Sequence, residues 1–217
     1  NRRLERRKEI LNILQEQHCF LISEMVNFSH YESDGRFLEG TGSMLLDRVN
    51  KIAYAAQSLR TDARVLKDFC ETFGFESLTF KAFQTVNKER LPIYHTNVML
   101  SLADDFAIIC ADTIDDSEER NSLIDCLKDS GKEVIFITED QKHRFAGNVM
   151  PVVNKSGEKF LVMSSTAHQS LDDEQIKKIE KHCQILSTPL HTIEACGGGS
   201  ARCMMAELFL PKNAPSK

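Results

Sequence analysis

A chain of 217 residues is long enough to bury one ordinary hydrophobic core without disulfides or a structural metal ion. Apolar residues make up 41% of it and charged residues 27%, and the net charge is -5, which argues against a disordered chain and against a nucleic-acid partner. We therefore predict a single domain over residues 1–217.

Membrane, metal and disulfide signals are weak in this sequence. The apolar runs fall short of the roughly 20 residues that a membrane-spanning helix needs, and the chain does not open on a basic and then apolar leader. Seven cysteines without paired short spacing favour reduced thiols in a cytoplasmic protein. Neither C-x-x-C nor H-E-x-x-H occurs, so we expect no metal site. The sequence leaves the oligomeric state open, a homodimer included.

The predicted elements begin with an amphipathic helix over residues 3–17, where apolar side chains recur at a spacing near 3.6. Residues 43–46 and 51–55 are two short strands joined by a polar turn, as in a hairpin. A helix follows over residues 62–73, with Asp62 as its N-cap.

The same order of elements then returns twice. Predicted strands and helices alternate in blocks of two strands and a helix, which indicates an α/β protein. Periodicity alone does not distinguish a doubly wound sheet from a propeller of ββαβ modules. The strands are residues 77–83, 106–110, 133–138, 149–153, 159–164, 184–186 and 203–209, and the helices are residues 117–129 and 172–182.

The segment G-G-G-S-A-R-C at residues 197–203 is the strongest chemical signal, because it places a thiol after the most flexible stretch of the chain. Glycines let the backbone approach a ligand closely, and free N–H groups there stabilise a thiolate or an oxyanion. A glycine-rich turn before a structural cysteine on the final strand has the same pattern. Cys203 is the candidate nucleophile.

Three further side chains are candidates for the same site. His95 follows a proline-bearing loop, and its imidazole suits proton transfer in both directions near neutral pH, although a hydrogen-bonded surface histidine fits that place too. Glu39 lies between apolar residues and glycines, so its carboxylate needs a cation or several donors unless it is solvated in a turn. Arg60 has the geometry to hold a carboxylate, or is a surface ion pair.

Four blocks in this order resemble the signature of the amidinotransferase family of penteins, the guanidine-modifying superfamily. They read E-G-T-G-S-M from Glu39, S-L-R-T-D from residue 58, Y-H-T-N-V-M from residue 94 and G-G-G-S-A-R-C-M from residue 197. The chain looks closest to bacterial citrulline-utilising hydrolases and is more distantly similar to arginine deiminases and dimethylargininases. F-A-G-N at residues 145–148 also resembles a family block, with a structural role.

The resemblance implies an α/β propeller of ββαβ modules and a role for each matching residue. Cys203 carries over as nucleophile, His95 as acid/base and Glu39 as the acid that binds the guanidino or ureido group. Arg60 is the contact for the substrate carboxylate, and Asn97 and Gly199 lie on the substrate side. The resemblance implies no cofactor.

Two departures from the family pattern bear on this expectation. Asn97 stands where arginine deiminases have an aspartate, which favours a neutral ureido group and hence citrulline. The upstream block of the family's first module is absent from this chain, so the expected pentein domain is N-terminally incomplete.

The predicted function is hydrolysis of a ureido or guanidino amino acid, citrulline to ornithine or an arginine-like substrate, through a covalent cysteine intermediate. Transfer of the amidino group to an amine uses the same chemistry and stays open. A non-catalytic pentein that serves as a binding module is the alternative from another class.

Overall fold

The structure is a computed structural model, and it describes residues 7–212. The chain divides into two compact units. The larger is Tyr31–Ala206, and the smaller is formed by the two ends of the chain, described over residues 7–30 and 207–212. The single domain expected over residues 1–217 stays a prediction.

In the smaller unit, the first helix, α1 (Lys8–Asn12), continues into a π-helical turn at Ile13–Gln17. The amphipathic helix predicted over residues 3–17 is therefore confirmed from residue 8 onward, and its first residues lie outside the described part. Further along, the N–H of Leu21 donates to the carbonyl of Pro211 at 2.8 Å.

The larger unit is built on three small sheets that share one plan. In each, two antiparallel strands are followed by a helix and a third strand that pairs in parallel with the second. Each sheet with its helix is a ββαβ module, so the predicted α/β class and alternation are correct. A separate hairpin joins the first module to the second.

The strands of the modules and of the hairpin are numbered in chain order. They are β1 (Leu45–Asp47), β2 (Ile52–Ala56), β3 (Glu76–Phe80), β4 (Phe83–Val86), β5 (Glu89–Pro92), β6 (Leu100–Leu102), β7 (Phe106–Ile109), β8 (Glu133–Phe136), β9 (Met150–Val153), β10 (Lys159–Ser164) and β11 (Gln184–Thr188). The further helices are α2 (Gly40–Ser43), α3 (Ala63–Phe73), α4 (Ser117–Asp129), α5 (Glu139–His143), α6 (Ser165–Ser170), α7 (Asp173–Glu180) and α8 (His191–Gly197).

The first module shows why these segments fold locally as they do. Asp62 caps α3 by accepting hydrogen bonds from the N–H groups of Arg64 and Val65, as predicted. Gly74 ends the helix in the left-handed conformation at φ 68°, which glycine adopts without steric cost. The strand β2 is buried almost throughout, because the helix covers it and the parallel strand β3 flanks it.

One large apolar cluster runs through all three modules. Its members share nearly complete burial and come from strands of all three sheets and from the helices of the second and third modules. Tyr54, Phe80, Leu100, Ile108, Leu123 and Leu161 belong to it. Loops leave the ends of these strands, and the cluster provides a rigid base for them.

The strand predicted over residues 203–209 is wrong. Arg202–Met204 form a turn of 3-10 helix, and residues 205–209 pair with no strand among the described residues. The apolar run predicted a strand, but the Cys203 N–H donates to the carbonyl of Ser200 at 3.1 Å and closes the turn. The strand predicted over residues 43–46 also begins late, since residues 40–43 are helical.

None of the helices within residues 7–212 is long and apolar enough to cross a membrane.

Candidate active site

Glu39 and His95 form the first contact of the candidate site. Glu39 is the N-cap residue of α2, and its carboxylate Oε2 lies 2.8 Å from Nε2 of His95. The backbone N–H of Glu39 donates to the hydroxyl of Ser43, and this hydroxyl donates to the carbonyl of Arg60 at 2.7 Å. These bonds fix the start of the helix and hence the direction of the carboxylate.

The turn that follows His95 and the packing on Gly42 also hold the imidazole in place. It precedes a 3-10 turn at Thr96–Val98 and is 7% exposed. The hydroxyl of Thr96 donates to the carbonyl of Ser43 and accepts the N–H of Ala56. The imidazole packs so closely on Gly42 that a Cβ there would lie 2.9 Å from Nδ1 and Cε1. Glu39 and Gly42 therefore both restrict the position of the ring.

Arg60 lies beside this pair. Its Nη1 is 3.7 Å from Glu39 Oε2, and its guanidinium lies over the ring of Tyr94 at 5.2 Å from the centroid. The arginine side chain is 42% exposed and the carboxylate side chain 21%. Arg60 is thus a half-exposed cation beside the partly buried carboxylate of Glu39. In this position the carboxylate of a ligand can approach the guanidinium from solvent.

Cys203 lies on the loop of residues 198–203, which we call the thiol loop. Gly198 begins it in the left-handed conformation at φ 67°, and the Tyr94 hydroxyl donates to the carbonyl of Gly198 at 2.9 Å. Gly199 lies against the thiol, since a Cβ there would be 2.8 Å from both Sγ and Cβ of Cys203. The cysteine itself is exposed.

The buried side chain of Asn148 contacts the thiol directly. Its Nδ2 donates to Cys203 Sγ at 3.2 Å and to the main-chain carbonyl of Asn97 at 2.8 Å. Its Oδ1 accepts the N–H of Ser200 at 2.9 Å and that of Cys203 at 3.4 Å. One amide thus ties the thiol loop to the segment that carries His95.

The thiol and the histidine segment are neighbours. Cys203 Sγ is 4.0 Å from Oδ1 of Asn97, two residues after His95. Burial raises the pKa of the Tyr94 hydroxyl, and the charge of a Cys203 thiolate raises it further, whereas Arg60 lowers it. Tyr94 therefore stays neutral beside the sulfur, and it spans the distance between Arg60 and the thiol loop.

Comparison with known proteins identifies the family. The family model described as eukaryotic N,N-dimethylarginine dimethylhydrolase matches residues 1–210. The chain belongs to this family. Comparison with curated proteins finds no match.

Solved structures of arginine-modifying proteins have the same fold as this dimethylarginine dimethylhydrolase family member. The N-terminal domain of ArgZ bound to product, an arginine dihydrolase from the ornithine-ammonia cycle in cyanobacteria, superimposes with a TM-score of 0.62 at 16% identity, over 91% of this chain and 63% of that one. Unliganded AgrE gives a TM-score of 0.60 at 22% identity, over 82% of this chain and 24% of that one. The chain spans less than two thirds of these proteins.

The fold of this family member is therefore that of the penteins, as the sequence resemblance predicted. The matching family is the dimethylargininase branch, to which the sequence motifs showed the more distant similarity.

The structure places the predicted residues of this family member in two contacting groups. Glu39 contacts both His95 and Arg60, while Asn97 and Gly199 both lie at the sulfur of Cys203. Three contributors were missed. Tyr94 and Gly42 lie inside the recognised blocks, but their contacts depend on distant segments.

The third missed contributor, Asn148, was assigned a structural role. The available signal was a glycine followed by an asparagine just before the strand β9, where Asn148 and Val149 are buried and a buried amide must find partners.

The described part of this family member contains no group of three or more His, Cys, Asp and Glu side chains that could hold a metal ion.

Proposed function

We propose that the protein is a cysteine-dependent hydrolase of arginine-like amino acids. In this proposal Cys203 attacks the central carbon of the guanidino group and His95 is the acid and base. The observation that carries it is the position of the sulfur, which lies 4.0 Å from Oδ1 of Asn97. Asn97 follows His95 by two residues, and His95 is bonded to Glu39. The family match and the arginine dihydrolase structures support the same substrate class.

The first half of the reaction forms a covalent intermediate. The Cys203 thiolate adds to the guanidinium carbon, and a carbon–sulfur bond forms. His95 protonates one nitrogen, the bond from carbon to that nitrogen breaks, and ammonia or an alkylamine leaves. An S-alkylthiouronium group remains on the sulfur.

The second half releases the product. His95, now neutral, removes a proton from water, and the hydroxide adds to the same carbon. The carbon–sulfur bond breaks with return of the electron pair to sulfur, and the new hydroxyl loses its proton to become the carbonyl of a ureido product. The net reaction consumes one water and releases one amine.

Glu39 and Arg60 have separate roles in this proposal. The Glu39 carboxylate orients the His95 ring and faces the guanidinium nitrogens, which are donors. Arg60 leaves its pairing with Glu39 to hold the carboxylate of the amino acid, since its side chain is exposed enough to be reached. Both groups position the reacting carbon against the sulfur.

Citrulline is the second candidate substrate, and Asn97 favours it. Its neutral amide lies beside the sulfur, where a carboxylate would grip a guanidinium more strongly. With citrulline, the departing amine is ornithine and the intermediate is a thiocarbamate.

Product analysis tests the proposal. The protein is incubated separately with arginine, N,N-dimethylarginine and citrulline, and the amine and amino-acid products are identified. Citrulline as the product from either guanidino compound supports the first substrate class, and ornithine from citrulline supports the second. Product formation that needs an added amine acceptor favours amidino transfer, and binding without turnover favours the non-catalytic alternative; either result contradicts the proposal.

Two variants make the test specific to one thiol. Cys203→Ala is expected to abolish turnover while the fold survives. The matched control is Cys196→Ser, because Cys196 is also exposed and lies only seven positions earlier. Undiminished hydrolysis by Cys203→Ala would eliminate the mechanism.

A further inference from the structure

Asn148 is the buried polar side chain in direct contact with the sulfur. It is 1% exposed, and all of its hydrogen-bonding groups are used. The Nδ2 donors go to Cys203 Sγ and to a carbonyl, and Oδ1 accepts two backbone N–H groups of the thiol loop. A buried amide with four such bonds has a single orientation.

The direction of the bond to sulfur determines what it can do. Nδ2 carries only hydrogens, so the amide donates to the sulfur and cannot accept from it. A donor stabilises the thiolate more than the neutral thiol, because hydrogen bonds to charged groups are the stronger ones. The opposite orientation of the amide would leave the Ser200 and Cys203 N–H groups facing another donor, so the loop fixes the orientation.

We propose that Asn148 is a catalytic residue that holds the Cys203 sulfur as a thiolate and aims it at the substrate carbon. This inference rests on the proposed function for its purpose, and it assigns the group that makes the nucleophile available. Asn148 also holds the loop. Its Oδ1 accepts the N–H groups of Ser200 and Cys203, while its Nδ2 donates to the Asn97 carbonyl, so the side chain keeps the thiol loop beside Asn97.

The charged and titratable groups around the loop have other partners. Tyr94 donates to the Gly198 carbonyl, and Glu194 accepts from Ser200 Oγ at 2.7 Å and from Thr166 Oγ1 at 2.8 Å. His95 is bonded to Glu39. Among the contacts of the described residues, the Asn148 amide donates to the sulfur.

Asn148→Asp separates the two functions of the side chain. An aspartate keeps an oxygen for the N–H groups of Ser200 and Cys203 but replaces the donor to sulfur by an acceptor with a negative charge. We expect the pH midpoint for alkylation of Cys203 by iodoacetamide, followed by peptide mapping, to rise by about one unit or more. At a pH below the wild-type midpoint, Asn148→Asp should be alkylated about tenfold more slowly than the wild type.

Ser200→Ala is the matched control. It removes the hydroxyl bond to Glu194 and loosens the same loop, but it leaves the Ser200 N–H and the amide–sulfur bond in place. This variant should lose thermal stability without a shift in the alkylation midpoint. An equal shift in both variants would show that Asn148 acts only on loop structure and would overturn the proposal.

A measurement on the unaltered protein covers the case in which Asn148→Asp does not fold. The side-chain amide protons of Asn148 should change their NMR shift with pH at the midpoint found for Cys203 alkylation, and this titration should vanish in Cys203→Ala. Amide protons that do not respond would overturn the inference. Alkylation and NMR need no turnover, so they test Asn148 separately from the proposed function. If no substrate is turned over but the alkylation midpoint shifts in Asn148→Asp, the proposed function is rejected and the effect of Asn148 on the thiol is retained.

Discussion

Nε2 of His95 lies 2.8 Å from Oε2 of Glu39, although 56 positions separate the two residues. The contact joins the first turn of α2 to the segment that follows β5. Because the imidazole also packs on Gly42, both residues restrict the position of the ring.

Gly42→Ala should impair catalysis by displacing His95. The added methyl would lie 2.9 Å from Nδ1 and Cε1, closer than real carbon contacts, so the ring must move away. A displacement near 1 Å in a catalytic group costs about a hundredfold in kcat/KM. Far-UV circular dichroism should show an intact fold, since Gly42 lies in a helical turn where alanine is favourable. Unchanged kcat/KM would show that the ring position is irrelevant.

Gly199→Ala should disturb the thiol itself. Its methyl would lie 2.8 Å from both Sγ and Cβ of Cys203, and overpacking of this kind costs about 1–3 kcal/mol of unfolding free energy. We expect lower stability in urea titrations and slower alkylation of Cys203. Gly197→Ala is the stability control, because its methyl would meet only Ile193 at 4.0 Å. Equal stability losses in the two variants would contradict the packing argument.

Arg60→Met should weaken substrate binding more than it weakens the fold. The lost charge-assisted bond to the substrate carboxylate is worth about 2 kcal/mol, or about thirtyfold in KM. Arg36→Met is the matched control, since Arg36 pairs with Asp62 at 3.5 Å and is 39% exposed. Steady-state kinetics should show a raised KM for Arg60→Met alone. A similar rise in both variants would mean that Arg60 acts only through surface charge.

Asp47→Asn should destabilise the protein in a pH-dependent way. Asp47 and Lys132 form an ion pair at 2.7 Å with both side chains 3% exposed, and removal of one partner leaves a buried charge at a cost of about 3 kcal/mol. Burial by itself would raise the pKa of Asp47, but hydrogen bonds from Asn50 and Lys132 and the lysine charge together lower it below 3.8.

The sign of the pH effect follows from that lowered pKa. A carboxyl with a depressed pKa in the folded state adds stability above about pH 4 and loses this contribution as the pH falls further. The difference in unfolding free energy between wild type and Asp47→Asn should therefore shrink in urea titrations below pH 4. Asp105→Asn, at an exposed pair with Lys159, should cost less than about 1 kcal/mol. A difference that stays constant with pH would contradict the assignment.

Much of the local structure was readable from the sequence. The helix α3 begins after Asp62 and α4 after Asp116, because a short side-chain oxygen satisfies the first N–H groups of each helix. Blocks of two strands and a helix were predicted three times, and the order observed three times within residues 45–188 is two strands, a helix and a strand. These features depend on neighbours within a few positions, so the local pattern contains the information. The strands β5 and β6 were not predicted.

The course of residues 203–209 shows where that information ends. An apolar run suits a strand, but a strand forms only where a partner edge is available. The N–H of Cys203 instead donates to Oδ1 of Asn148 and to the carbonyl of Ser200, which holds the start of this segment in a turn. Partner availability is a property of the whole fold.

The sequence by itself determined the alternation of elements, the caps of α3 and α4 and the four blocks that contain the candidate residues. The tertiary structure decided which of these residues meet: Glu39 with His95, and Cys203 with Asn97 and Asn148. The physical reason is separation along the chain. Residues more than 50 positions apart come into contact only through the packing of the modules on one core, and spacing within a segment does not record that packing.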